Sequence, residues 1–242
     1  MHMVMELCEH GDLSKQLDHH QYFEENLARF IAAELILAME HVHNKGVLYR
    51  DLKPENIMID ADGHIRLGDF GLAKQAGEED DDSAQGKNRM VAQSFCGSPA
   101  YLAPEMLNKA GVSASGDVYQ IGVVLYEMLV GIPPFYNDNI NILYKNISQG
   151  KLKIPNYLSK GSKNILTRML NRDPKKRPSI EQVKSDAFFA GINWEYLAQK
   201  MYRPPQKLGK LASKSGEGED QSSVEADMFQ DGISSPQKQR SQ

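Results

Sequence analysis

Residues 116–131, GDVYQIGVVLYEMLVG, carry apolar side chains nearly all the way round a helix. A helix that is apolar on every face has no side to give to water, so it must run through the middle of a domain with other elements packed around it. The rest of the chain has to supply that jacket. Across residues 24–44, Leu27, Ile31, Leu35 and Met39 recur at intervals of four with Ala28, Ala38 and Val42 beside them, the broad stripe of a second, one-sided helix. Gly46 is placed to stop it. With 242 residues, 40% of them hydrophobic, the chain is in the range of one large domain or two small ones. The expectation is an α+β protein, mainly α-helical.

The remaining elements are shorter. MHMVMEL reads as an apolar strand or strand end, closed by the polar turn CEHGD and followed by a helix. IMID, the turn ADGH and IRLGD predict a small β-hairpin with Asp62-Gly63 at its bend. GSKNILTRMLNRDP and SIEQVKSDAFF predict two further helices, the second opened by a capping box from Ser179 to Gln182. Residues 75–93 contain EEDDD and almost no large apolar residue, which reads as a solvated loop. Residues 207–242, rich in Ser, Gln, Lys and Glu, do not read as an independent fold.

Several function classes are disfavoured at once. A formal charge of -4 with no basic face argues against nucleic acid as a partner. Cys8 and Cys96 are too few for a disulfide framework and have no neighbours at metal-ligand spacing, as expected of reduced thiols inside a cell. The N-terminus lacks the pattern of a secretion signal, and no apolar run reaches membrane-spanning length. A soluble protein of the cytoplasm is expected, with the nucleus as a second compartment.

The chemistry is concentrated around the hairpin. Phosphoryl transfer needs a group that takes a proton from a hydroxyl, groups that hold a metal, and a cation for the phosphate charge. YRDLKPEN before the hairpin and GDFGLAK after it supply them in that order. Together with SFCGSPAYLAPE, DVYQIGVVLYEML and RDPKKRPS, these motifs resemble the larger, helical lobe of a serine/threonine protein kinase over residues 1–190. Tyr49 in place of the usual histidine, FCGSPAYLAPE, and FFAGINWEYL leading to RPP are similar to the AGC group. The implied fold is protein-kinase-like, limited to the large C-terminal lobe with a small β-hairpin at the catalytic loop. The implied division is a partial catalytic domain at 1–190 and an AGC-type extension at 191–242, largely disordered after about residue 207.

The resemblance implies ATP and Mg2+ as cofactors and assigns roles residue by residue. Asp51 matches the aspartate that orients the substrate hydroxyl and accepts its proton, Lys53 the phosphate-contacting lysine, and Asn56 and Asp69 the metal ligands. Ser98 takes the place of a threonine that bonds near the catalytic aspartate. Glu6 and Cys8 match hinge positions that bond adenine through their backbone, Met58 the floor beneath the base, and Asp12 an acidic residue near the ribose. Ser94 matches the activation-segment phosphorylation site, with Arg50 and Lys74 as cations for its phosphate, while the plain alternative is an ordinary loop serine. Glu105 with Arg177 resembles a buried tethering ion pair, Asp117 the residue holding the catalytic-loop backbone, and Phe70 is expected to pack on Tyr49 in the core. Asp12, Glu127 and Glu55, the last also at the nucleotide edge, fall where basophilic relatives receive arginines, and Phe95, Pro99 and Leu102 would line the pocket for the residue after the target.

The family's glycine-rich loop, its strand lysine and that lysine's glutamate partner precede the hinge, and no GxGxxG occurs in these 242 residues. One expectation is therefore a kinase fragment lacking the ATP-clamping lobe and inactive alone. The alternative is a non-catalytic, kinase-like binding or scaffold module. Intact catalytic-loop and metal positions favour the first, because a docking module has no chemical need for all four. The partners implied are protein substrates with basic segments before Ser or Thr and an upstream activating kinase, and the chain itself is expected to be monomeric.

Overall fold

The computed structural model describes residues 6–75, 99–107, 113–205 and 208–209. The expected strand at MHMVMEL lies outside these residues but for its last two, and the acidic run and most of the tail lie outside them altogether. The helices are α1 (Leu13–His20), α2 (Glu25–Asn44), α3 (Pro104–Leu107), α4 (Ala114–Val130), α5 (Ile140–Gln149), α6 (Lys160–Met169), α7 (Ile180–Lys184) and α8 (Trp194–Ala198). The strands are β1 (Val47–Leu48), β2 (Ile57–Ile59), β3 (Ile65–Leu67) and β4 (Lys74–Gln75).

Helix α4 is the axis. Val118, Ile121, Val123, Val124, Leu125 and Met128 are at most 2% exposed, so the all-round apolar pattern is satisfied by burial on every side. Helices α2 and α6 both pack against it. The approach of α6 is close: a Cβ at Gly122 would come within 2.9 Å of Met169 Cβ. The stripe Leu27, Ile31, Leu35 and Met39 is fully buried on the α2 side of this core. Gly46 follows the α2 cap with φ +72, a left-handed conformation that stops the helix without a Cβ clash.

The hairpin forms where expected, β2 pairing antiparallel with β3 in the register Ile57↔Leu67, Met58↔Arg66, Ile59↔Ile65. Its loop is longer than a two-residue turn: the Asp60 carboxylate accepts the amides of Asp62 (3.2 Å) and His64 (2.9 Å), and Gly63 takes φ +87. A buried pair anchors it to α2. Glu34 accepts from the Ile65 amide at 2.9 Å and lies 2.5 Å from His64 Nδ1. The second ladder, β1 with β4, has two residues a side. Neither strand is long enough to show a period, and sequence pattern alone does not reveal it.

SIEQVKSDAFF does not form one helix. The capping box from Ser179 to Gln182 is present, but α7 ends at Lys184 because Asp186 caps a separate 3-10 turn, Ala187–Phe189, through the Phe188 amide. The Asp186 carboxylate also pairs with Arg168 of α6. Residues beyond 190 join the same core: Trp194 stacks on Phe189, Lys200 pairs with Asp60 at 2.8 Å, and Leu208 is 1% exposed. Gln16 of α1 donates to the Gly209 carbonyl at 3.1 Å.

The segment carrying α3 is fastened to the base of α4 by Glu105 and Arg177, a bidentate pair with both N–O distances at 2.6 Å. Arg177 also donates to the carbonyls of Asn171, Ser115 and Arg172 and lies over the Tyr119 ring. Burial makes the pair costly to break, because a lone buried charge loses its solvation without recompense. Arg177→Ala is expected to destabilise the chain by about 3–5 kcal/mol, read as a lower urea midpoint, with Glu105→Ala giving a similar loss.

Candidate functional site

The segment YRDLKPEN lies between β1 and β2, and α4 holds its backbone. Asp117, fully buried, accepts the amides of Tyr49 (3.0 Å) and Arg50 (2.8 Å) and bonds His43 Nε2 at 2.7 Å. One turn along the same face, Gln120 receives the Leu52 amide (3.2 Å) and donates to the Arg50 carbonyl (3.1 Å). These contacts hold Arg50 at φ +71, a conformation that costs a non-glycine residue on the order of 1 kcal/mol. Asp117 thus stands where the sequence resemblance put it. His43 and Gln120 were not anticipated, although Gln120 carries the signal of a polar residue three positions after Asp117 in an otherwise apolar helix.

Within the loop, Asp51, Lys53 and Asn56 meet. Lys53 Nζ lies 2.8 Å from Asp51 Oδ2, and Asn56 Nδ2 donates to the Asp51 carbonyl (2.8 Å) and to Oδ2 (3.2 Å). A 3-10 turn, Pro54–Asn56, bends the chain so that positions 51, 53 and 56 converge. Among the described residues both donors use Oδ2, leaving Asp51 Oδ1 as an acceptor for another hydroxyl. Ser98 lies outside the described residues, as do Ser94 and Phe95.

Asp69 follows the hairpin at φ +46, its Oδ1 accepting the Gly71 amide at 3.0 Å, in a turn that an aspartate tolerates. Phe70 requires a correction. It does stack edge-on against Tyr49, with ring centroids 5.2 Å apart, but it is 48% exposed and not a core residue. Tyr49 is the buried member, its hydroxyl donating to the Gly68 carbonyl at 2.5 Å, and burial pushes that phenol well above its ordinary range. Arg50 Nε donates to the Leu72 carbonyl at 2.6 Å, and Leu48 pairs with Lys74, so Arg50 and Lys74 lie on one edge.

At the hinge end, the Cys8 carbonyl closes a turn onto the Gly11 amide (3.2 Å). The Ile59 amide donates to Gly11 (2.8 Å) and the His10 amide to Ile59 (3.2 Å), which docks this turn on β2 beside Met58. Burial pushes the Cys8 thiol up, and the Glu6 and Asp60 charges add to it, so it is held as a thiol. Glu6 is exposed and pairs with Arg66 at 3.2 Å. Asp12 does not stand open as a receptor: it caps α1 through the Lys15 amide and pairs with Lys15 Nζ at 2.8 Å.

The other expected acidic positions form a group. Glu127 accepts the Tyr101 hydroxyl at 2.6 Å. Burial pushes its carboxyl up to about 7, and the Glu55 and Asp18 charges contribute in the same direction. Asp18 was missed, since an aspartate on a polar helix face gives no signal until the fold brings it near Glu127. Pro99 and Leu102 flank the same 3-10 turn as Tyr101, with the Leu102 amide bonded to the Pro99 carbonyl.

The protein kinase domain model matches residues 1–189. The chain belongs to the protein kinase domain family. It is 39% identical over 240 residues, 96% of this chain and 36% of the relative, to the serine/threonine protein kinase ypkA of Aspergillus fumigatus. It is 39% identical over 208 residues to the RAC family serine/threonine-protein kinase homolog of Dictyostelium discoideum, covering 85% of this chain and 45% of that one. The RAC serine/threonine-protein kinase of Drosophila melanogaster is 39% identical over 209 residues, 84% of this chain and 33% of the relative. The chain thus spans less than half the length of these relatives, which are AGC-type kinases. Kinases of this family use ATP and Mg2+ and act on protein substrates. Among the described residues no helix is long and apolar enough to cross a membrane.

Two outcomes follow from the geometry. Asp117→Ala leaves the Tyr49 and Arg50 amides buried without acceptors, so their hydrogen exchange should accelerate and stability should fall by about 2–4 kcal/mol. The neutral form of Glu127 is the one the fold favours, a contribution complete below the ordinary carboxylate range and lost as pH rises through about 7. The urea midpoint of the chain should therefore fall from pH 6 to 8, and Glu127→Gln should remove most of that fall.

Proposed function

We propose that this chain carries the catalytic half of an ATP- and Mg2+-dependent serine/threonine protein kinase directed at basic segments. The observation that carries the reading is the convergence of Lys53 and Asn56 on one oxygen of Asp51, with the other oxygen open among the described residues. Oδ1 accepts a hydrogen bond from the substrate hydroxyl and takes its proton as that oxygen bonds to the terminal phosphorus of ATP, while the bond from this phosphorus to the bridging oxygen breaks and ADP leaves. The Lys53 ammonium, a compact charge, opposes the negative charge spread over the transferred oxygens.

The donor set fits a magnesium ion. Mg2+ takes oxygen ligands, often only one or two carboxylates from the protein, and fills the rest with phosphate and water. Asn56 spends its amide nitrogen on Asp51, which leaves its oxygen as the ligating atom, and Asp69, exposed, directly follows Gly68, whose amide donates to the Asn56 carbonyl at 2.8 Å. When bound, the metal neutralises and orients the phosphates. For the adenine, the hinge backbone at Cys8 and the side chain of Met58 are the contacts we assign. Substrate arginines are assigned to Glu127 and Glu55, and to Asp12 once Lys15 is displaced. Protein substrates and an upstream kinase acting at Ser94 are the partners this reading entails.

Closure over ATP is assigned to a glycine-rich lobe whose motif these 242 residues do not contain. The test is transfer of labelled phosphate from Mg-ATP to an arginine-containing serine peptide, by the chain alone and by the chain joined to the corresponding lobe of ypkA. We expect no turnover alone and turnover in the joined protein, lost on Asp51→Asn or Asp69→Ala. Turnover by the chain alone that Asp69→Ala abolishes would refute the need for that lobe. A folded joined protein that binds Mg-ATP yet transfers nothing would refute the kinase reading.

A further inference from the structure

Residues 139–172, which span α5 and α6, contain seven lysines and arginines and no aspartate or glutamate. The net charge of -4 averages this stretch away, and it makes a local basic face that the catalytic reading leaves unused. Lys145, Lys151, Lys153 and Lys160 are exposed, and Lys163 is half-buried. Among the described residues Lys15, Lys53, Lys176, Lys184 and Lys200 each pair with an aspartate or glutamate, whereas none of the five lysines of this face does. The two arginines are taken up locally, Arg168 by Asp186 and Arg172 by the Ile147 carbonyl.

The link between α5 and α6 has no regular structure but is held from both ends. Leu152 and Ile154 pack against the core, and the alternating Lys151 and Lys153 point outward. The Lys153 carbonyl accepts the Tyr126 hydroxyl of α4 at 2.8 Å, and Leu158, 8% exposed, anchors the far end. Ser159 caps α6 through the Ser162 amide, and Lys163 Nζ reaches back to the Asn156 carbonyl at 2.9 Å, which folds the start of α6 beside the link. Glu25, which touches this face, is engaged by the hydroxyls of Ser159 (3.0 Å) and Ser162 (2.6 Å) and lies 3.8 Å from Arg29. Tyr157 stands in the middle of the lysines and is 61% exposed. Ile142, 45% exposed, precedes Lys145 by three positions on the outer side of α5.

We propose that this face docks the chain on an anionic lipid surface, with the lysines among the headgroups and Tyr157 and Ile142 at the boundary with the acyl chains. Charge complementarity selects the anion: five ammonium groups without carboxylate partners lose little by leaving bulk water for a negatively charged surface. The exposed apolar groups select the lipid. A tyrosine ring is at home at headgroup level, and Tyr157 and Ile142 gain by leaving water, which a purely ionic partner does not offer them. Lysine stems are long enough to lie along the apolar boundary while the ammonium stays among the headgroups. The contact does not depend on the kinase reading. The group at Glu127, Glu55 and Asp18 has the opposite sign, so a basic peptide and the membrane do not compete for one surface.

The test is co-sedimentation of the 242-residue chain with phosphatidylcholine vesicles, with and without phosphatidylserine. Binding should require phosphatidylserine and weaken as salt rises. Lys151→Ser with Lys153→Ser should weaken it about fivefold for each lysine removed. Lys175→Ser with Lys176→Ser makes the same change in charge at exposed positions outside this face and should leave binding nearly unchanged. Tyr157→Ser should weaken binding severalfold without altering its dependence on salt. Each substituted position is exposed, and an unchanged urea midpoint shows that the variant folds. Absence of binding to the anionic vesicles overturns the proposal. So does an equal loss from the Lys175 and Lys176 pair, which would show a response to net charge alone. If Tyr157→Ser with Ile142→Ser leaves vesicle binding unchanged and a polyaspartate peptide displaces the vesicles, the face belongs to an acidic protein and the proposal fails.

Discussion

The site depends on one buried carboxylate. Asp117 has no exposure to water, and its two oxygens are consumed by the amides of Tyr49 and Arg50 and by His43. The loop has one 3-10 turn, Pro54–Asn56, too short to fix Asp51, Lys53 and Asn56 by itself. Its geometry is borrowed from α4, the most deeply buried helix among the described residues. Gln120 repeats the arrangement one turn on, so a strained backbone at Arg50 is gripped from both sides.

Carboxylate and amide are tolerable in the core only because every polar atom they present is matched by a backbone group of the loop. The same economy appears at Arg177, where one guanidinium satisfies Glu105 and three carbonyls, and at Glu34, which holds His64 and the Ile65 amide. Each buried charge joins segments far apart in sequence. The functional side chains sit on loops, and the loops are located by these few polar contacts to a helical frame.

Much of this was legible from residues. The 3.6-residue period of α2, the all-round apolar character of α4, the capping box at Ser179 and the hairpin at Asp62-Gly63 are local patterns, and local patterns declare themselves in a single chain. The motif residues Asp51, Lys53, Asn56 and Asp117 were also identified, through resemblance to a family whose spacing they keep. The β1–β4 ladder, the early end of α7 and the exposure of Phe70 were not, because each turns on a partner distant in sequence.

By itself the sequence determined the two longest helices, α2 and α4, which family the chain belongs to, and which residue types are available at the candidate site. Those follow from short-range periodicity and from motif spacing. Only the tertiary structure decided which of the candidate carboxylates interact. Asp12 is neutralised at home by Lys15, whereas burial pushes the Glu127 carboxyl up to about 7 and the Glu55 and Asp18 charges add to it. Electrostatic coupling falls with distance through space and is indifferent to distance along the chain, so no reading of order alone could have ranked them.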